Sequence, residues 1–214
     1  MKKITEIYKD YKIMPNLAMH QMRVAAVAMQ ICDSLSVKIN NNDVVKACLV
    51  HDMGNITKFK LDHFPKFTLS EGLEYWQDVQ KEYIDKYGNN DHIANEMIAR
   101  ELNLEGSIIE LVLSVDPKNI EENVLNKDLE KKICIYSDNR VNPHGIVSLP
   151  DRLIEVKERY QNHTHSFSDE SHEFYKNNIQ NIEKQIFSHS NIKPEDINDD
   201  SIKKHLDKLV DFTM

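Results

Sequence analysis

The chain has 214 residues, 40% hydrophobic and 29% charged, with a formal net charge of −8. This is the size and composition of one domain able to bury a sizeable core. The acidic balance disfavours broad contact with nucleic acid or an anionic membrane, no apolar run approaches the roughly 18 residues of a membrane span, and Met1–Ile7 lacks the apolar segment of a secretory leader.

Five glycines and six prolines beside many Lys, Glu, Leu and Ile favour helices over a turn-rich β fold. Residues 3–12 predict a first helix. Residues 17–36 predict a second, with Leu17, Val24, Val27, Ala28, Ile31 and Leu35 at helical spacing. Asn40–Asp43 offers the start of a third, running into His51 with Gly54 as its stop, so that His51 and Asp52 fall in its last turn. Residues 55–70 lack periodicity, contain Pro65 and read as a loop. Thr68-Leu69-Ser70-Glu71 fits a capping box for a helix to about Tyr87. Gly88–Asp91 is a break and a cap. A helix over about 92–103 places Ile93, Met97, Ile98 and Leu102 on one face, and Gly106–Val115 is a short apolar helix ended near Pro117. Lys127–Arg140 reads as a buried helix with Asp138 at its end. Asn142–Gly145 is a turn, Ser148–Asp151 opens a helix with Pro150 in its first turn, a more polar helix runs from Ser168 to about Ser188, and Pro194 allows a last one to about Phe212. No period-2 stretch is long enough for a sheet and no repeat occurs. The expected fold is all-α, with residues 1–165 as a metal-binding helical domain and 166–214 as a C-terminal helical extension packed on or continuous with it.

The chemistry concentrates in Lys46-Ala-Cys-Leu-Val-His-Asp-Met-Gly-Asn55. A histidine and an aspartate directly after an apolar run are costly to bury unless partnered, and a divalent metal satisfies both, because imidazole and carboxylate are its natural ligands. His20 upstream and Asp138 downstream complete a set of two imidazoles and two carboxylates. Mixed nitrogen and oxygen ligation suits Mn, Fe, Co, Ni or Zn better than Ca. Basic residues accompany each part: Arg23 three positions after His20, Lys58 after His51-Asp52, and Arg140 two after Asp138. A cation ringed by Arg and Lys attracts a phosphate rather than a neutral amide, which points to metal-assisted phosphoryl hydrolysis.

The order His20…His51-Asp52…Asp138, with Tyr136-Ser-Asp-Asn-Arg-Val-Asn-Pro-His-Gly145, resembles the H…HD…D signature of the HD-domain superfamily of metal-dependent phosphohydrolases over roughly residues 15–160. The resemblance implies a core of about five helices around a divalent metal (Mn, Fe, Co, Ni, Zn or Mg) held by His20, His51, Asp52 and Asp138. It also implies hydrolysis of phosphomonoesters or phosphodiesters, often of nucleotides; some members bind or sense nucleotides instead. Many members carry a lysine after the glycine, where this chain has Asn55, with Lys58 the nearest lysine. Two-metal members have two further histidines between HD and the last aspartate. Here the interval holds His63 and His92, of which His92, at a helix start, is the better second-metal or substrate residue; one metal is the default.

The expected function is therefore a cytoplasmic phosphohydrolase releasing phosphate from a small phosphorylated metabolite, a nucleotide first among them. Its site has His20, His51, Asp52 and Asp138 on one metal, Asp52 also handling the proton of the attacking water, and Arg23, Lys58 and Arg140 on phosphate. The alternative is a nucleotide-sensing module on the same fold without turnover. A homodimer through the C-terminal helices is compatible with either. Several residues carry plainer readings. Cys32, Cys48 and Cys134, without a C-x-x-C, are reduced core thiols. Met19, Met22 and Met29 are core filler, and Tyr75, Trp76 and Tyr83 a packing seam. Glu71 and Glu74 are surface or capping carboxylates, either able to orient a water. His163, His165 and His172 belong to a polar linker region, and His144 shapes a turn.

Overall fold

The computed structural model describes residues 1–62, 65–160 and 168–214. Helix α1 (Ile4–Asp10) leads into α2 (Pro15–Ser34), which opens on a proline, a residue preset for a first helical turn. Helix α3 (Asn41–Val50) starts where the Asn40 side chain accepts the Asp43 amide at 3.4 Å. A 3-10 turn at Asn55–Lys58, the one-turn helix α4 (Pro65–Thr68) and α5 (Leu73–Tyr87) follow. Helix α6 (Asp91–Glu101) is capped by Asn90, whose side chain accepts the Ile93 amide at 3.0 Å. Then come α7 (Gly106–Ser114), α8 (Ile120–Leu125) and α9 (Leu129–Asp138), the last capped by Asp128. A two-residue antiparallel pair, β1 (Val141–Asn142) and β2 (Gly145–Ile146), turns the chain into α10 (Leu149–Tyr160), followed by α11 (Asp169–Phe187) and α12 (Lys203–Val210). Among the described residues the fold is all-α apart from this hairpin.

Helices α3 and α9 form the centre. Cys48, Leu49, Val50, Ile133, Cys134, Ile135 and Tyr136 are fully buried, and each such aliphatic side chain contributes roughly 1.5–3 kcal/mol by leaving water. Helix α2 packs on both, α7 covers them from one side, α11 lies on α8 and α9, and α12 lies on α2. Ile179, Ile182 and Ile186 of α11 and Leu209 of α12 belong to the same buried cluster as the first helices. A short antiparallel bridge between Lys3 and Thr213 joins the first residues to the last. The three cysteines are buried free thiols.

The structure departs from the sequence expectations at definite places. Thr68 closes α4, its hydroxyl donating to the Pro65 carbonyl at 3.0 Å, and α5 begins only after Gly72 at φ 91°, so Thr68–Glu71 is not a capping box for α5. The backbone at Gly72 needs a left-handed conformation that outweighs the side-chain pattern. Helix α8 was not anticipated, because it is six residues long and follows a 3-10 turn at Pro117–Asn119. The last helix starts at Lys203, not at Pro194, which opens a 3-10 turn. Met22 is buried, whereas Met19 is 47% exposed. His63, His163 and His165 lie outside the described residues.

Candidate metal centre

His20 comes from the first half of α2, His51 and Asp52 directly follow α3, and Asp138 ends α9. Three packed helices thus deliver four side chains that are up to 118 residues apart in sequence. His20 Nε2 lies 3.0 Å from Asp138 Oδ1 and 3.5 Å from Asp52 Oδ2. His51 Nε2 lies 3.5 Å from Asp138 Oδ1 and 3.6 Å from Asp52 Oδ2. One ligand atom from each of the four can be chosen so that all lie within 4.8 Å of one another. Atoms about 2.1 Å from an octahedral ion stand about 3.0 Å apart when adjacent and about 4.2 Å when opposite, so the cluster has the dimensions of a cation's inner shell.

The protonation pattern fits as well. His51 Nδ1 is 2.8 Å from the Cys48 carbonyl, which can only accept, so that nitrogen carries the hydrogen. In the neutral ring His51 Nε2 is then a buried lone pair, and among the described residues no group donates to it. A buried acceptor without a partner is costly, and a divalent cation would satisfy it. The His51 side chain is 1% exposed, against 17% for His20, 22% for Asp52 and 25% for Asp138, so the cluster opens to solvent on the side away from His51. Burial lowers the His51 pKa, but the Asp52 charge and the hydrogen bond and charge of Asp138 outweigh it and raise it to about 9. Burial likewise works to raise the Asp138 pKa, and the two imidazoles overcome it and hold the carboxyl well below its ordinary range. Without a cation His51 keeps its second proton facing the two carboxylates, and cation binding must release it.

Supporting groups hold this turn in place. The Asp52 amide donates to Gln21 Oε1 at 3.2 Å, and Gln21 is fully buried. Asn95 Oδ1 accepts the Gly54 amide at 2.6 Å, and Asn95 Nδ2 donates to Asn55 Oδ1 at 3.4 Å. Gly54 is not a left-handed helix stop, having φ −88°. It is needed for approach instead: a Cβ there would stand 2.5 Å from Ala94 Cβ and 2.9 Å from the Asn95 amide nitrogen. Gln21 and Asn95 were not singled out from sequence. Their signal was a polar side chain inside an otherwise apolar helix face.

The predicted phosphate contacts divide. Arg23 is half-buried and makes no hydrogen bond or ion pair among the described residues. Lys58 Nζ lies 2.6 Å from Asp91 Oδ2, an ion pair that keeps the Asp91 pKa low against the effect of its burial. Arg140, expected on phosphate, does not join the site. It is 3% exposed, and its guanidinium donates to the carbonyls of Val147, Pro194 and Ile197 and to the Tyr136 hydroxyl. Those five hydrogen bonds use all five of its donors. His92 stands outside the four, with Nε2 3.5 Å from Asp116 Oδ2, itself 2.7 Å from Lys118. Glu71 and Glu74 are exposed.

Helices that bring two imidazoles and two carboxylates together define a helical protein with a cluster that could hold a divalent cation. The HD domain family matches residues 17–142, more than half of the chain and all four cluster residues. The chain belongs to the HD-domain superfamily of metal-dependent phosphohydrolases. No curated protein and no solved structure gives a significant match. Among the described residues, no helix is long and apolar enough to cross a membrane.

Proposed function

We propose that the chain hydrolyses a phosphate ester of a small metabolite, a nucleotide first among them, at a divalent cation held by His20, His51, Asp52 and Asp138. The observation that carries this reading is the buried, unpartnered His51 Nε2 facing two carboxylates and a second imidazole. A bound cation supplies Lewis acidity there, polarising a phosphoryl oxygen and making water acidic enough to react near neutral pH.

The chain's own groups do the rest. Cys48 fixes the His51 tautomer through its carbonyl, and Gln21 fixes the Asp52 backbone. Asp52 takes the proton of the attacking water, a role that its partial exposure to solvent supports. Arg23, three residues along α2 from His20, has a guanidinium uncommitted among the described residues, suited to bidentate contact with a phosphoryl group. Lys58 reaches phosphate only by giving up Asp91, and so acts on substrate arrival or not at all.

The test is phosphate release from a panel of nucleoside mono-, di- and triphosphates and sugar phosphates with Mn, Co, Ni, Zn or Mg added in turn. Turnover is expected with at least one cation and is lost in Asp52→Ala with helicity unchanged. Turnover retained by Asp52→Ala, or independent of any cation, overturns the reading. Bound nucleotide without product under every cation identifies a sensing module instead.

A further inference from the structure

A second pocket, of about 510 Å³, lies where the segment after α2, the start of α9 and the end of α11 meet. It is lined by three lysines, Lys38, Lys127 and Lys132, beside the apolar side chains of Val37, Ile39 and Leu129. Its volume is in the range of small-molecule sites.

The pocket is separate from the metal centre. Helices α3 and α9 both begin beside it, and α3 leads to His51-Asp52 as α9 leads to Asp138. Each has ten residues, so the two ends are about 15 Å apart. One phosphate cannot touch both. Its third wall, α11, lies beyond residues 17–142, so the pocket forms between the family core and the C-terminal helices.

Its charges are unevenly committed. Asp128 Oδ1 accepts the amides of Glu130 and Lys131 at 3.0 and 3.2 Å, capping α9. Glu130 Oε1 accepts the Asn40 amide at 2.7 Å. The two carboxylates are tied to backbone. The lysines are not matched in the same way. Lys132 is 5% exposed, and among the described residues its ammonium makes one hydrogen bond, to the neutral Asn126 carbonyl at 2.6 Å. Among the described residues Lys38, Lys127 and Lys132 form no salt bridge. An ammonium has three donors, so a buried one with a single neutral acceptor is under-satisfied. Burial lowers the Lys132 pKa, and Asp128 only partly offsets that.

We propose that this pocket is a second, non-catalytic binding site for a small phosphorylated molecule, its phosphoryl group on Lys132, Lys127 and Lys38 and its apolar part against Val37, Ile39 and Leu129. Lysine binds phosphate as a point charge and does not need the planar fork of arginine. The proposal stands independently of any reaction at the metal centre.

The test is calorimetric titration of inorganic phosphate and of pyrophosphate into the full chain as purified, and into Lys132→Met, Lys38→Gln/Lys127→Gln and Asp138→Asn. A saturable event is expected that weakens at least about tenfold in both lysine variants and persists in Asp138→Asn. The double variant changes two exposed residues, so it decides the matter even where Lys132→Met fails to fold. An event unchanged in the double variant, an event lost only in Asp138→Asn, or no saturable event at all overturns the proposal.

Discussion

Arg23 and Arg140 stand in equivalent positions in sequence, three residues after one cluster histidine and two after the last cluster aspartate. In the fold they are opposites. Arg23 is half-buried on α2 and uncommitted among the described residues. Arg140 is fully committed, to the carbonyls of Val147, just after β2, and of Pro194 and Ile197 in the segment before α12. Adjacency to a metal ligand therefore does not assign a charge to the substrate. The side of the helix end on which the chain supplies acceptors assigns it. One arginine holds the C-terminal segment to the core, and the other makes no hydrogen bond or ion pair among the described residues.

The sharpest way to break this contrast is Arg140→Ala. The substitution removes five hydrogen bonds and takes a charged donor from the carbonyls of Val147 and Ile197, while Pro194 keeps only the Ile197 amide. A loss of about 3–5 kcal/mol is expected, or about 10 °C in Tm for a chain of this size, read by thermal melting. A Tm within about 2 °C of the parent would mean that the clamp is ornamental and that Arg140 is free to serve the site after all. Gly54→Ala comes next. Its Cβ meets backbone and Cβ of α6 well inside van der Waals contact, so α6 must shift, at a cost of about 1–3 kcal/mol. Because Gly54 follows His51-Asp52 by two residues, loss of stability should come with weaker metal retention, measured by metal analysis after dialysis. Normal metal content with normal Tm would show that α6 yields freely.

His205 inverts Arg140. It is as deeply buried, yet neither ring nitrogen has a hydrogen-bond partner among the described residues. Helix α12 packs it on α2, whose Asp33 carboxylate is 3.8 Å from Nδ1, while Lys204 and Lys208 of its own helix repel a proton. Burial, the largest influence, holds its pKa below the ordinary 6.5, against the pull of Asp33. Above pH 6.5 the ring is neutral folded or unfolded, and the full stability is present. As pH falls below that value the unfolded chain takes up the proton first, and stability is lost. His205→Leu should therefore flatten the acid limb of the Tm profile between pH 7 and 5, and change stability at pH 7.5 by about 1 kcal/mol or less, because an unpartnered polar ring is replaced by an apolar group of similar size. An acid limb identical to the parent's would rule out His205 as its source.

What could be read from the sequence was what is decided locally. Asn40 and Asn90 as caps, the apolar stripe of α2 and the turn at Asn142–Gly145 each depend on neighbours within a few residues. The cluster was legible for a related reason: imidazole and carboxylate at helix ends have few uses other than a cation. Features set by distant segments were not legible. The contact of Gly54 with Ala94, the support of Gln21 and Asn95, and the burial of Arg140 depend on residues 31 to 57 positions away. Helix α8 was lost for want of length, since six residues give fewer than two turns in which a period can show.

The finest test of the contrast is Arg23→Gln, which should leave stability within about 0.5 kcal/mol, as expected for a side chain with no partner among the described residues. Its effect should fall on binding instead. If Arg23 contacts the phosphoryl group only on arrival, KM rises about tenfold and kcat holds. If it also neutralises charge that develops as the bond breaks, kcat falls too, because an interaction made in the transition state has been removed. Arg23→Lys separates charge from shape: rescue by lysine means that a point charge suffices, and failure to rescue means that the planar bidentate fork is required. A fall in Tm without any change in KM would place Arg23 in the same structural class as Arg140, and the distinction between the two arginines would be gone.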